Sequence, residues 1–286
     1  MSETPLKKPS KFKTYLVFTK FRLSFLVILS ALTGYLFAGG KDLTEITYLM
    51  LGGTLVTGAS NGANQIWERD LDKFMNRTNR RPLPTGQMSL REAYIICTFS
   101  LITGTILLAL INWKSAILGV LAFISYVFIY TPLKQKTPWA VFVGAFPGAI
   151  PPLLGAIAHT NAFGFEPGVL FFVQFTWQFP HFWAIGWFLY DDYKKAGFFM
   201  LPTGERDKKT ALQTILYTIW MILASVIPAF GFTGNLFLSK VAAVIVVLLG
   251  LWMLFYAVQL HKKMDAQAAR KLMIVSVSYI SLLQIV

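Results

Sequence analysis

A helix that crosses a membrane takes about 20 apolar residues. Apolar runs of that length recur nine times along this chain, at 21–38, 46–66, 93–111, 115–132, 139–158, 167–190, 210–232, 236–260 and 271–286. The pattern predicts an all-α, polytopic membrane protein, a bundle of nine transmembrane helices around a central cavity open to the cytoplasmic side. Residues 1–20 read as a basic cytoplasmic segment, and 21–286 as a single transmembrane domain. The first run is too long for a signal peptide, follows twenty polar or basic residues and precedes no small-residue cleavage site, so it counts as a span.

Composition sharpens this reading. The 286 residues are 55% hydrophobic and only 14% charged, with 25 Phe and 8 Trp, whereas soluble domains carry roughly 25% charge. Mean hydropathy is +0.57. The single Cys97 excludes an internal disulfide framework and any multi-thiolate metal centre. A net charge of +13 would suggest nucleic acid in a soluble protein, but here the placement of the charges decides. With a cytoplasmic N-terminus, 23 of the 26 Lys and Arg fall on the cytoplasmic side, and only Lys41, Lys114 and Lys240 fall outside. That asymmetry sets the N-terminus inside and the C-terminus outside. It assigns the charge to orientation and membrane lipid, with no nucleic-acid partner.

Two connections are long, and they hold most of the acids. The first runs from Asn61 to Gly86. Asn64, Glu68 and Asp72 stand four apart, so on a helix they drift by about 40° and rise about 6 Å per step and share a face. Asn61 precedes that row by about a turn. Oxygen ligands of this kind suit a hard cation such as Mg²⁺, which takes few carboxylates and completes its shell with phosphate. Arg77, Arg80 and Arg81 follow, and guanidinium forks pair with phosphate oxygens. Mixed charge outside a span is ordinarily a solvated face. Asn61 and Asn64 tip the balance, because they lie inside an apolar span, where polar side chains tend to be functional.

The second connection begins within the sixth span. Gln174, Trp177, His181 and Asp192 fall close together around a helical wheel. Pro180 is placed to kink that helix, and His181 is the one histidine deep in a span. A lone intramembrane histidine often serves only to bond a neighbouring helix. Two further features are the repeat of Leu-Pro-Thr-Gly at 83–86 and 201–204, and a run of Gly and Pro from 144 to 155. Small residues there let a neighbouring helix or a flat ligand approach closely.

The run from Asn61 to Gly86 resembles the first motif of the protoheme IX farnesyltransferases (heme O synthases), the heme branch of the UbiA-type intramembrane prenyltransferases. Tyr130-Thr131-Pro132-Leu133-Lys134, Trp177-Gln178-x-Pro180-His181-Phe182 and Asp192-Tyr193-x-x-Ala196-Gly197 extend the resemblance over nearly the whole chain. Gln65 and Glu68 stand where the wider superfamily has aspartates. The resemblance implies Mg²⁺-dependent transfer of farnesyl from farnesyl diphosphate to a vinyl group of heme B, giving heme O. It further implies that Asn64, Glu68, Asp72 and Asp192 hold the metal, with Asn61 in support. Arg77, Arg81, Lys134 and Lys195 are implied for the diphosphate, and His181 with Trp177 for heme. Heme A synthase or a terminal oxidase under assembly are the implied protein partners. The lack of an Arg-rich presequence favours a bacterial inner membrane over a mitochondrial one. The alternatives are a related enzyme prenylating a quinone precursor or chlorin, and a secondary transporter. Transporters place their binding groups near the midplane, whereas here the acids cluster at one rim.

Overall fold

The computed structural model describes residues 10–234 and 236–286, and every regular element among them is helical. Within the basic segment expected at 1–20, α1 (Lys11–Phe18) forms, while residues 1–9 of that segment lie outside the described residues. The long helices are α2 (Phe21–Phe37), α3 (Leu43–Glu68), α4 (Leu90–Ile111), α5 (Trp113–Ile124), α7 (Ala140–Thr160), α8 (Phe165–Phe188), α10 (Lys208–Ser225), α11 (Lys240–Lys263) and α12 (Ala266–Leu283). Two short ones matter for the site, α6 (Thr131–Leu133) and α9 (Tyr190–Lys195).

Local chemistry sets the helix starts. Asp42, Ser89, Asn112, Asp207, Ser239 and Asp265 each accept a first-turn backbone N–H, a cap worth about 1 kcal/mol apiece. The two Leu-Pro-Thr-Gly repeats fold alike. Gly86 donates to Leu83 O and Gly204 to Leu201 O, and both glycines sit at positive φ (70° and 83°). Each turn is followed three residues later by the cap of the next helix, Ser89 or Asp207.

Small residues let the helices close up. Gly52 of α3 and Gly104 of α4 each face the other's carbonyl, and a Cβ on Gly104 would lie 2.8 Å from Gly52 O. Across the α2–α7 contact, Gly34 abuts the Pro152 carbonyl and Gly155 the Ala31 carbonyl. The Gly and Pro run of α7 therefore serves the close helix approach expected of it. Gln178 of α8 donates to Ala145 O at 2.8 Å and fills the space above Gly148. α8 packs against α7, α10 and α12.

By length and apolarity, five helical segments are fit to cross a membrane among the described residues: 90–111, 113–133, 140–160, 208–230 and 240–263. The pair α1–α2, bent by 52°, makes a sixth if taken as one span. The remaining long helices α3, α8 and α12 carry the buried amides Asn64, Gln65 and Gln178 and the buried Ser276.

Candidate active site

The polar site assembles where the end of α3, the loop after it, α6 and α9 meet. α3 stops at Glu68, so the row of Asn64, Glu68 and Asp72 is not one continuous helical face. Asp72 belongs instead to a 3₁₀ turn at Leu71–Phe74. The reason is a competing set of bonds downstream. Thr78 donates to the Asp72 carbonyl at 3.0 Å, and Arg81 Nη1 lies 2.7–2.8 Å from both Asp72 carboxylate oxygens. The expectation for span 6 changes in the same way. α8 ends at Phe188, Leu189 leaves helical geometry (φ −100°, ψ 19°), and Asp192 sits on α9, off the face that carries His181.

Each predicted acid has a defined environment. Asn64 and Glu68, one turn apart, face Thr131 and Lys134, which register the tip of α3 against α6. Asn64 Nδ2 donates to Thr131 Oγ1 at 3.2 Å, and Glu68 forms an ion pair with Lys134. Asn61 donates to Thr19 O and to Ser24 Oγ, both at 3.3 Å, tying α3 to the α1–α2 junction. Asp192 accepts from the backbone N–H groups of Asn76 and Arg77, each at 3.1 Å, with Lys195 at 3.6 Å. Burial pushes the Asp72 carboxyl above its ordinary value, and Arg81 opposes the shift without cancelling it. Burial also acts to raise Asp192, but the Arg77 and Asn76 N–H groups and then Lys195 outweigh it, so its carboxyl lies below the ordinary value.

Lys134 joins the two acidic loops. Its ammonium stands over the rings of Tyr130 (4.9 Å) and Phe198 (5.1 Å), and its carbonyl accepts from Phe199 N at 2.7 Å. Gln135 donates to Ala196 O at 3.3 Å. Arg77 is exposed, forms no ion pair among the described residues, and lies over Tyr193 at 5.8 Å. Arg80 is exposed.

One cation of the site is absent from the sequence expectations. Lys20, between α1 and α2, adopts a left-handed conformation (φ 50°, ψ 45°), and its Nζ lies 3.5 Å from Asn64 Oδ1. Holding a lysine there costs about 1 kcal/mol or more. The bend directs the ammonium toward the mouth of α3, beside a side-chain carbonyl but with no carboxylate partner among the described residues. A lysine flanking a first apolar run, preceded by a short helix-forming stretch, is the signal that could have marked it.

Trp177 and His181 lie within α8, away from this polar cluster. Trp177 donates to Ser276 O at 2.7 Å and stacks on the His181 ring at 4.6 Å. His181 Nδ1 lies 2.7 Å from Ser276 Oγ, whose own hydrogen is taken by Met273 O at 2.7 Å. Nδ1 is accordingly the donor, and the lone pair resides on Nε2. A mainly apolar pocket opens one to two turns from these groups, with Gln174 and Ile280 among its walls and Gln284 at its end.

The donor set suits a hard divalent cation. Asn64, Glu68 and Asp72 offer buried oxygens. Among the described residues, no three His, Cys, Asp or Glu side chains converge as a self-sufficient metal cage. A cation held here would therefore need oxygens from the substrate, as Mg²⁺ sites on phosphorylated substrates do.

A helical bundle with acids and arginines at one mouth matches a known class. The sequence pattern of the UbiA prenyltransferase family matches residues 27–283, and the chain belongs to that family. The fold agrees. A digeranylgeranylglyceryl phosphate synthase superposes with a TM-score of 0.79 at 19% identity, covering 96% of each chain. A UbiA homologue from Archaeoglobus fulgidus, bound to GPP and Mg²⁺, gives a TM-score of 0.65 at 19% identity over 94% of this chain and 97% of that one. The particular branch follows from a nearer relative. The chain is 55% identical to the protoheme IX farnesyltransferase of Christiangramia forsetii, over 100% of its own length and 96% of the relative's.

Proposed function

We propose that this protein transfers a farnesyl group from farnesyl diphosphate to a vinyl group of heme B, giving heme O. The identity to protoheme IX farnesyltransferases supports the substrates. The chemistry rests on one observation, the convergence of Lys20, Arg81 and Lys134 with Asn64, Glu68 and Asp72 at the mouth of α3.

In the reaction, the bond between farnesyl C1 and oxygen breaks and diphosphate leaves. The vinyl π electrons form the new carbon–carbon bond to C1. The cation left on the porphyrin side chain takes the oxygen of water, and a proton is released. The protein must neutralise the leaving group and keep stray water from the allylic cation. Asn64, Glu68 and Asp72 would hold Mg²⁺. Asp192 would complete the set from the opposite loop with the lone pairs its N–H bonds leave free. Bound Mg²⁺ supplies neutralisation of the charge that develops on the diphosphate.

Arg77, Arg81, Lys134 and Lys20 would take the diphosphate oxygens, with Lys195 assisting from the rim. Lys134 and Arg81, now paired with Glu68 and Asp72, would be free to turn to phosphate oxygens where those carboxylates held a cation. Tyr130, Tyr193 and Phe198 stand beside these cations and offer ring faces to an allylic cation. His181 would bind the heme iron through its free Nε2, and Trp177 holds that ring in place. The aliphatic part of the substrates would extend toward the apolar pocket at Gln174 and Ile280.

The same reading places residues 21–286 in the membrane as one unit, with nine crossings, the site mouth on the cytoplasmic side and the C-terminus outside. The distribution of Lys and Arg supports this orientation, and a bacterial inner membrane is the proposed location. Heme A synthase or a terminal oxidase under assembly would receive the product.

Purified protein in nanodiscs, supplied with Mg²⁺, farnesyl diphosphate and either heme B or an aromatic acid, tests the assignment by product mass. Heme O formation supports it. Prenylation of the aromatic acid alone overturns the heme reading.

A further inference from the structure

A second cleft lies away from the proposed active site, at the hairpin joining α11 to α12, with a volume of about 280 Å³. Its walls include Tyr256, Gln259, Lys263, Asp265, Gln267 and Lys271, with Phe255 at the edge nearest the bilayer. Neither lysine has a carboxylate partner among the described residues. Asp265 is the one acid lining the cleft, and its Oδ1 is engaged in capping α12, accepting from Ala268 N at 2.6 Å, so the two lysines leave the cleft with net positive charge. Arg270, by contrast, is engaged, lying over the Phe188 ring at 5.9 Å.

The position of this cleft selects its ligand. α11 spans 24 residues, and at about 1.5 Å per residue it matches the roughly 30 Å hydrocarbon core. Lys263, at its last turn, therefore sits at headgroup level. Below it, Phe255, Trp252 and Leu248 form a stripe along the outer face, exposed by 55%, 40% and 60%, with the Trp252 and Tyr256 rings 6.3 Å apart. Paired cations and amides at headgroup depth, continuing into an apolar track, are complementary to a phosphate on an acyl-chain lipid.

We infer that the α11–α12 cleft binds the phosphate headgroup of an anionic phospholipid, with Lys263 and Lys271 on the phosphate and the acyl chains along Phe255, Trp252 and Leu248. A lysine at the membrane surface raises attraction for anionic lipid by roughly 5-fold, and two by roughly 30-fold.

The full-length protein in detergent, mixed with equal amounts of phosphatidylglycerol and phosphatidylcholine, is examined by native mass spectrometry. The unmodified protein retains one phosphatidylglycerol in preference. Lys263→Gln with Lys271→Gln loses that preference by roughly 30-fold, Lys263→Arg with Lys271→Arg keeps it, and Lys240→Gln at the other end of α11 leaves it unchanged. Equal retention by the double Gln variant overturns the inference. If that variant fails to fold, the unmodified protein decides. Equal retention of the two lipids, or displacement of phosphatidylglycerol by millimolar inorganic phosphate, overturns a lipid site, and preference without displacement supports it. Heme and farnesyl diphosphate are absent throughout, so the outcome is independent of the proposed catalysis.

Discussion

Asp192→Asn separates a clasp from a spectator. The carboxylate receives the backbone N–H groups of Asn76 and Arg77 from a loop more than a hundred residues away, each at 3.1 Å, and its side chain is only 14% exposed. Hydrogen bonds to a charged group contribute about 1.5–3 kcal/mol each. Asparagine keeps one acceptor oxygen, as a neutral partner, and turns an NH₂ toward the other N–H. The substitution therefore loses one charge-assisted bond and weakens the second, about 2–3 kcal/mol in all. At about 1.4 kcal/mol per tenfold, opening of the Asn76–Arg77 segment rises roughly 30- to 140-fold.

Hydrogen exchange read by mass spectrometry on the peptide covering residues 72–80 measures this directly. Lys195→Gln is the control, because its ion pair is 3.6 Å long with a half-exposed lysine and such pairs are worth about 0–1 kcal/mol. Faster exchange in Asp192→Asn and little change in Lys195→Gln are expected. Unchanged exchange in Asp192→Asn would show that the carboxylate does not hold the arginine loop, and the geometric link between the two acidic loops would fall with it.

The other predictions follow from single contacts. Glu68→Gln abolishes product while the protein still inserts in the membrane; it also strands the buried Lys134, at about 3–5 kcal/mol, so adding Lys134→Met recovers the melting temperature but not activity. The Asp192 carboxyl lies below its ordinary value in the folded chain, so its stabilisation is complete above about pH 3.8 and is lost as pH falls through the lower folded value; pepsin cleavage within residues 72–80 should rise only in that acid window. His181→Ala alters the absorption spectrum of added heme without changing affinity for farnesyl diphosphate, and an unchanged spectrum removes the iron-ligand role. Gly86→Ala, at φ 70° with open space around it, lowers stability by about 1 kcal/mol through the backbone alone, whereas Gly155→Ala, facing the Ala31 carbonyl, loses more through steric overlap, by about 1–3 kcal/mol; thermal melts rank the two.

Residue type alone marked much of the site. Asn61, Asn64 and Glu68 stand out because polar groups at the end of an apolar run are costly unless used, and all three make inter-element contacts in the fold. The repeated Leu-Pro-Thr-Gly was a four-residue coincidence on paper, yet both copies are the same positive-φ turn ahead of a capped helix. What was not legible is where helices end. Nothing at Leu189 or Arg69 announces a break, since neither is Gly or Pro and both follow apolar or amphipathic sequence. Those breaks go with contacts beyond the helix itself: Asp192 with the distant Asn76 and Arg77 amides, and Asp72 with Thr78 and Arg81 in the loop that follows it. Helical arithmetic therefore placed Asp72 and Asp192 on continuous helices, whereas Asp72 lies in a 3₁₀ turn and Asp192 on the separate helix α9.

Lys20 carries the same lesson in reverse. Its sequence context, a basic residue before an apolar run, is what the positive-inside rule predicts of any cytoplasmic flank, and so the residue reads as orientation only. The left-handed backbone at Lys20 converts that flank into a bend of 52° between α1 and α2. The bend is held from the α3 side, by Gln65 donating to Phe18 O at 2.6 Å and Asn61 to Thr19 O at 3.3 Å. Gln65 is one of the positions where this chain departs from the wider superfamily pattern, with Glu68 and Leu189. Its amide supplies an N–H donor that an aspartate lacks, so the departure and the placement of Lys20 are one structural event. A Gln65→Asp variant should thus release α1 and Lys20 from the tip of α3, read as faster hydrogen exchange in the peptide covering residues 15–24; unchanged exchange there would refute the link.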